Sequence, residues 1–535
     1  MEDGGRLLPV STPVFLHFYK MSARVKKILL LLLAAVLLAG SGRVQKSLNR
    51  DRQKLDLTLM APLKNAPPLL AFTTVALGGF RGLISNFLWI RANDLQQENK
   101  YFEMVQLADW ITDLEPHFPE VWIFQAWNMA WNISVNFKDF SDRWRWVQRG
   151  MELLRDEGLR YNPDNTLIYF NLSWIFQSKM GQNMDDANLY YKEQWARDMT
   201  PFFGPDGTNF DALIHPQANE AKALAKLLRE KYKMDPGFVK QVDDQWGPLD
   251  WRLPEASAIY WAAKGLEMAK EYPEKVNQSD LIKLRRSIYQ SMLQAFYHGR
   301  LVINPFDQSY DFYPDLDLVP KLNEAYETMY AEEGDPAQKN DIKRAQGNFL
   351  RDAVYFLYED NRIAEAAKWF RYLCSKYPNE LLINTDPNSL PSQMTLDQYA
   401  VECVQGDVNE SSQDRTTSVV EGLLARAYYE LAIGHDDRYA GYKLLATKIY
   451  LQYQKHIASF QGQQRVGIPA FADINRVVLN QLLDPQGGLP FAARAVLRTQ
   501  LQLPPETASP NVLPATVSTN ATEAVGTNSS NSVAK

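Results

Sequence analysis

The chain has 535 residues, 46% of them hydrophobic and 22% charged, with a net charge of −6 and a pI of about 5.7. These values fit a folded protein of about three domains or one long repeat array, and they exclude a mostly disordered, collagenous or disulfide-stapled chain. The acidic balance offers no basic field for nucleic acid, and two cysteines, Cys374 and Cys403, cannot form a metal cluster and make at most one disulfide.

Residues 1–24 read as an N-terminal extension without pattern, and Met21 is a second candidate start. Ile28–Ala39, ILLLLLAAVLLA, follows Arg24, Lys26 and Lys27. A basic stretch before an apolar run has the form of a signal peptide or signal-anchor. Residues 25–42 form an 18-residue segment, slightly short of the ~20 needed to cross a bilayer core. Ala39-Gly40-Ser41 offers small residues for signal peptidase, so anchoring and cleavage both stay open. Five Lys and Arg precede Ile28–Ala39 and six lie between Gly40 and Ala66. That near balance leaves orientation to the first apolar segment. The expectation is a single-pass protein with its helical part on the periplasmic side, or a secreted or periplasmic protein if the signal is cleaved.

Residues 43–98 read as a linker and an apolar helix start. Leu69–Ile90 follows Pro67-Pro68 but contains Gly78, Gly79, Arg81 and Gly82. A central arginine is costly in lipid, so the stretch reads as soluble or interfacial rather than as a second span.

From Leu83 to Leu501 apolar residues recur at helical spacing, as in Ile363–Tyr372 and Glu421–Leu431. Gly and Pro cluster at Phe203–Gly207, Asp235–Gly237, Gly247–Pro254 and Asn304–Asp315, which predicts loops there. The expected division is a helical region over 99–303, a connection over 304–347 and a second helical region over 348–502. The tail, residues 503–535, is rich in Ser, Thr and Pro without an aromatic residue. That composition predicts disorder.

Helix pairs bury their apolar stripes by stacking, which prompts a search for repeats. In Asn348–Pro378 a polar turn, Glu359-Asp360-Asn361, separates two helices. Ala366 and Phe370 stand twelve and eight residues before Pro378. In Asn99–Pro116, Met104 and Ala108 hold those places, and Trp122 stands six residues after the proline. Arg149–Pro163 is followed by Tyr169 at the same distance and by Asn171-Leu172-Ser173. A fragment, Asp186–Tyr191, precedes Pro201. These spacings resemble the tetratricopeptide repeat. The prolines at 116, 163 and 201 are 47 and 38 residues apart instead of 34, and Met151 and Arg155 replace the small and bulky residues. The resemblance implies an all-α, TPR-like helical-hairpin solenoid with irregular repeats behind the N-terminal membrane segment. Trp246-Gly247-Pro248-Leu249-Asp250-Trp251-Arg252-Leu253-Pro254-Glu255-Ala256 is similar to a signature of uncharacterised bacterial membrane-anchored proteins with such repeats, and it implies no reaction. Its prolines and glycine set a rigid elbow, in which Asp250 and Arg252 can pair or cap the following helix.

Catalytic signatures are missing from the sequence. The six histidines (His17, His117, His215, His298, His435, His456) lie out of helical reach of one another, so no zinc spacing arises. No phosphate loop or nucleophile elbow occurs, and Gly78–Gly82 is not preceded by a strand. Asp185-Asp186, Asp243-Asp244 and Asp436-Asp437 read as solvated turns or helix caps, and Cys374 as a core residue. No catalytic, cofactor-binding or metal-binding residue is therefore assigned. Nine of thirteen tryptophans fall between Trp89 and Trp195. Trp127 and Trp131 share a helix face, whereas Trp144 and Trp146 cannot.

The resulting expectation is a membrane-anchored scaffold, held through residues 25–42, that binds a protein or peptide in an envelope assembly without catalysis or cofactor. The alternative is an α/α enzyme acting on cell-wall glycans. First helices of stacked pairs line a solenoid's concave face. With Ile123, Trp127 and Ala130, and Leu172 and Ile175, in the core, Gln125, Asn128, Asn132 and Asn171 are expected to face the groove. Their neutral amides suit a peptide backbone.

Overall fold

The computed structural model describes residues 23–54, 81–182, 184–205, 207–383, 387–405, 413–458 and 468–506. The expectations for residues 1–22, for Leu69–Phe80 and for most of the tail lie outside them. The chain is all-α: among the described residues 76% are helical, in 20 helices. Helix α1, Ala23–Lys54, contains a 19-residue window, Leu30–Leu48, none of it buried, long and apolar enough to cross a membrane or to serve as a signal sequence. It outruns the expected segment 25–42 because no proline interrupts the polar residues after Gly42.

The described residues fall into two compact units, those within 1–302 and 310–342 and those within 303–309 and 343–535. In the first unit α2 (Arg81–Gln97) and α3 (Tyr101–Leu114) make a hairpin. Its turn places Asn99 at φ 57°, a conformation asparagine tolerates. Leu88, Ile111, Leu114 and Val121 form one apolar cluster, and Ala92, Leu95 and Met104 another.

Helix α4 starts at Pro119, where a missing N–H costs nothing, and runs to Trp127. Helix α5, Phe140–Glu152, is capped by the Asp139 side chain, which accepts from the Ser141 amide at 2.8 Å. Helix α6, Thr166–Trp174, is capped in the same way by Asn165. Each of the three continues into a wider π-wound turn: Asn128–Ile133, Leu153–Gly158 and Ile175–Gly181. Gly150 lets α5 cross α4 closely, since a Cβ there would stand 2.8 Å from the Ala126 carbonyl.

Helix α7, Asn188–Phe203, contains Pro201, a residue whose spacing predicts a turn at the end of a repeat. The helix runs two residues past it and stops at Gly204, where φ is 74°, so the proline removes one i→i−4 bond near the helix end without ending the helix. Helices α8 (Phe210–Ile214), α9 (Asn219–Glu230) and α10 (Pro236–Trp246) follow. Then α11 (Pro254–Glu271) and α12 (Gln278–His298) pair with each other and pack along α6. The stretch Asn304–Asp315, expected to be loop throughout, contains a strand. β1 (Arg300–Ile303) and β2 (Tyr310–Tyr313) form a hairpin. Their β-branched and aromatic residues flank a short polar turn, which is the hairpin pattern. Helix α13, Val319–Glu332, closes this unit.

Helix α14, Pro336–Glu359, leads into the second unit, where its residues from Lys343 pair with α15 (Ile363–Lys376). Ala366 is fully buried there. Helices α16 (Leu396–Gln405), α17 (Gln413–Ala432) and α18 (Asp436–Ala458) follow, and α19 (Phe471–Leu482) and α20 (Phe491–Gln500) pack on α17. Composition predicts a tail that loses order from residue 503. Instead Arg494 Nε and Nη2 each donate to the Glu506 carboxylate at 2.9 Å. This two-pronged bond holds the chain to at least that residue.

Candidate functional site

The surface expected to bind a partner lies on α4 and α6. Burial there follows a different phase from the expected one. Gln125 and Asn128 are buried, and Trp127, assigned to the core, is 37% exposed. Gln125 Nε2 donates to Asp109 Oδ1 on α3 at 2.5 Å. Asn128 Oδ1 accepts from Asn132 Nδ2 at 3.1 Å. Helix α4 is covered on two sides, by α3 at Gln125 and by α5 at Ala126, so one apolar stripe understates its buried surface. The π-wound turn from Asn128 then takes later side chains out of the 3.6-residue phase. Asn132 and Asn171 remain partly exposed, and Asn171 Nδ2 donates to Leu167 O on its own helix at 2.8 Å. Of the four expected residues, only these two reach solvent.

What occupies the outer surface is a ladder of indoles. Trp127 and Trp131 stack with centroids 5.6 Å apart and planes 16° apart. Trp131 stacks in turn on Trp174 of α6 at 5.0 Å and 22°. Helical spacing joins Trp127 to Trp131, but only the packing of α4 on α6 adds Trp174. The crowding of tryptophans before Trp195 is the signal of it in the sequence.

Beneath lies a buried ionic layer that spacing alone does not reveal. Lys192 Nζ of α7 donates to Glu255 Oε1 at 2.8 Å, and both side chains are almost wholly buried. Glu255 sits in the first turn of α11, where the helix dipole favours a carboxylate. A Cβ at Gly181 would lie 2.9 Å from Gln294 Oε1 and 3.6 Å from Glu255 Oε1, so this glycine admits both polar groups. His298, at the end of α12, responds to the pair. Burial and the Lys192 ammonium lower its pKa, and Glu255 partly offsets them.

Asp185, expected in a solvated turn, is buried and bonded to Lys179 and Arg143. Burial pushes its carboxyl up, but the bonds from Lys179 and the Ala187 amide more than reverse that, so its pKa lies below the usual value. Asp243 is likewise no solvated residue. Its Oδ1 accepts from the Leu249 amide and from Trp251 Nε1, each at 2.9 Å.

These bonds belong to the elbow. The expected pair forms, with Arg252 Nε 2.8 Å from Asp250 Oδ1 and Nη2 2.7 Å from Oδ2. Arg252 also donates to the carbonyls of Pro205 at 2.7 Å and Leu301 at 3.0 Å. The Leu301 amide returns a bond to Asp250 at 3.1 Å. Every strong polar group here is turned inward, onto neighbouring segments of the same unit.

Among the described residues no group of three or more His, Cys, Asp and Glu is arranged to hold a metal. Burial raises the Cys374 thiol pKa and carries that of Cys403 to about 11, so neither is a thiolate at neutral pH. The arrangement supplies a self-paired polar interior and, on α4 and α6, an indole ladder that reaches the surface; exposed Phe102 of α3 forms a second aromatic cluster with Phe137 and Trp146. No family model matches the chain, and no curated protein or solved structure matches it.

Proposed function

We propose that the chain is a membrane-anchored helical-repeat scaffold that binds a polypeptide partner on the α4–α6 face, with its helical body on the periplasmic side. The stacked ladder Trp127–Trp131–Trp174 carries this reading. Stacked indoles offer a large, stiff apolar surface that loses little side-chain entropy on contact, which is why tryptophan anchors interfaces. Asn132 follows Trp131, and Asn171 lies one turn before Trp174. Their amides can pair with a peptide backbone. The Lys192–Glu255 pair ties α7 to α11, and Ser173 Oγ of α6 donates to the Ala258 carbonyl of α11 at 2.7 Å.

The tetratricopeptide-like reading gains support from the turns. Trp122 Nε1 donates to the Pro116 carbonyl and Tyr169 Oη to the Pro163 carbonyl, both at 2.9 Å and both across six residues. The full burial of Ala366 on α15 fits the same scheme.

A photo-crosslinking amino acid placed at 127 or 131 tests the proposal in intact cells. The expected result is a discrete crosslinked polypeptide at both positions and none at Leu227, which is exposed on α9. A chain that crosslinks to no polypeptide at 127 or 131 would remove the partner-binding reading.

A further inference from the structure

Helix α2 carries an apolar surface that nothing among the described residues covers. Its buried stripe is Ser85, Leu88, Ala92 and Leu95, at the spacing of one helix face. The opposite face presents Leu83, Phe87 and Ile90, with 67%, 70% and 62% of their surfaces exposed. Three large apolar side chains at i, i+4 and i+7 form one continuous stripe. The stripe does not run the length of the helix. Beyond Ile90 the same face turns polar at Asp94, with Arg91 and Asn93 at its two edges as Asn86 is earlier, all exposed. Arg91 approaches Glu98 at 3.9 Å.

The direction of this gradient singles out an occupant. The apolar half of α2 is the half nearer in sequence to α1, the helix that can cross a bilayer, and the residues leading into it, LLAFTTVALGGF from Leu69, are apolar too. Leu83 to Ile90 gives one helix face an apolar stripe about 10 Å long at ~1.5 Å per residue, the kind of face that an interfacial helix lying in the membrane plane turns toward the acyl chains. Arg91, at the end of the stripe, has a stem long enough to carry its charge to the lipid phosphates and water. The apolar side chains are confined to the part of α2 that follows the apolar run from Leu69 in sequence, which favours lipid over a protein partner.

We infer that the Leu83–Phe87–Ile90 face of α2 lies in the interface of the bilayer that holds α1. This makes a second membrane contact and fixes how the helical body stands on the surface. The inference rests on the membrane reading of α1.

The test uses the full chain reconstituted in vesicles of phosphatidylcholine and phosphatidylglycerol. An environment-sensitive fluorescent amino acid replaces Phe87 in one preparation and Asn93 in another. Vesicle flotation reports insertion through α1, and lipids bearing a nitroxide high on the acyl chain report depth. The expected result is flotation of both chains, a blue-shifted emission at 87 quenched several-fold by the nitroxide lipid, and no quenching at 93. Flotation with an unquenched probe at 87 overturns the inference and leaves the anchor intact. That holds whether the probe is in water or is shielded by residues 55–80, a second copy or another protein. Failure to float removes the anchor reading, and this contact with it.

Discussion

The indole Nε1–H of Trp122 donates to the carbonyl of Pro116, six residues earlier, at 2.9 Å. The proline ends one helix pair and the tryptophan opens the next, so this single bond sets the angle at which α4 leaves α3. The hydroxyl of Tyr169 does the same for α6 at Pro163. The two turns differ in reserve. The Pro116 carbonyl also accepts from Asn162 Nδ2 at 2.9 Å, so it keeps a partner if Trp122 is changed. Tyr169→Phe removes only the hydroxyl and should cost about 0.5–1.5 kcal/mol, the usual net worth of a hydrogen bond. Trp122→Phe also removes packing area and should cost about 1–3 kcal/mol. Urea unfolding of each variant measures this. A Tyr169→Phe protein as stable as the parent would mean that the hydroxyl bond does not hold the turn.

Ala366 is the position where sequence spacing and structure meet most directly. Spacing predicts a small residue between two helices there, and Ala366 of α15 is fully buried. Ala366→Leu should overpack that contact and cost about 1–3 kcal/mol, read as a lower denaturant midpoint. An unchanged midpoint would show that the contact yields freely.

The helical class, the helix pairs and the Asp250–Arg252 bond are legible in the sequence because each depends on near neighbours. The repeat register around Pro163 is not. Spacing makes Met151 the small-residue position of α5, twelve before the proline. The close approach is made by Gly150, thirteen before it. The π-wound turn Leu153–Gly158 lies between them, and such a bulge absorbs one extra residue without ending the helix. Spacing rules that assume 3.6 residues per turn therefore miss by one. The groove fails for a related reason. Gln125 and Asn128 are polar but buried, held by Asp109 and Asn132, and the apolar periodicity of their helix does not announce that burial. Glu255 reads as an ordinary first-turn carboxylate, because Lys192 is 63 residues away.

That pair makes a sharp prediction. With both side chains nearly inaccessible, replacing Glu255 by leucine leaves an uncompensated buried ammonium. Loss of one partner of a buried pair costs about 3–5 kcal/mol. Adding Lys192→Met removes the charge as well and should restore most of the stability. Chemical denaturation of the two variants and the parent decides it. A double variant no better than Glu255→Leu would mean that the damage is done by shape rather than by charge.

Buried Asn128 gives a prediction that separates support from contact. Its side-chain oxygen accepts from Asn132, and deleting this buried side chain loses that bond, worth about 0.5–1.5 kcal/mol, together with the packing around it. Asn128→Ala should therefore lower stability, whereas Asn171→Ala, at a partly exposed residue bonded to its own helix, should change it by less than ~0.5 kcal/mol. Thermal melts of the two variants test the contrast. Equal losses would place both asparagines in the interior.

The pH dependence of the first unit should carry the signature of Asp315. Burial, helped by the nearby charge of Asp317, raises its pKa from 3.8 to about 7. A carboxyl whose pKa is higher in the folded state binds its proton more tightly there. Between pH 4 and 7 the folded chain then holds more protons than the unfolded chain, so stability falls as pH rises through that window. Above pH 7 both states are ionised and the penalty is constant. Each tenfold gain in proton affinity on folding is worth about 1.4 kcal/mol, so Asp315 costs on the order of a few kcal/mol at pH 8. Carboxylates with lowered pKa, such as Asp185, act with the opposite sign, so the parent's profile mixes both. The difference between parent and Asp315→Asn isolates the one group. The amide keeps an acceptor for the Asp317 N–H, which now bonds Asp315 Oδ1 at 3.2 Å. The variant should gain stability relative to the parent as pH rises from 4 to 7, and the gain should level off by pH 8. Equilibrium unfolding across that range measures it. A difference independent of pH would mean that Asp315 is ionised in the folded chain and that water or a cation reaches it.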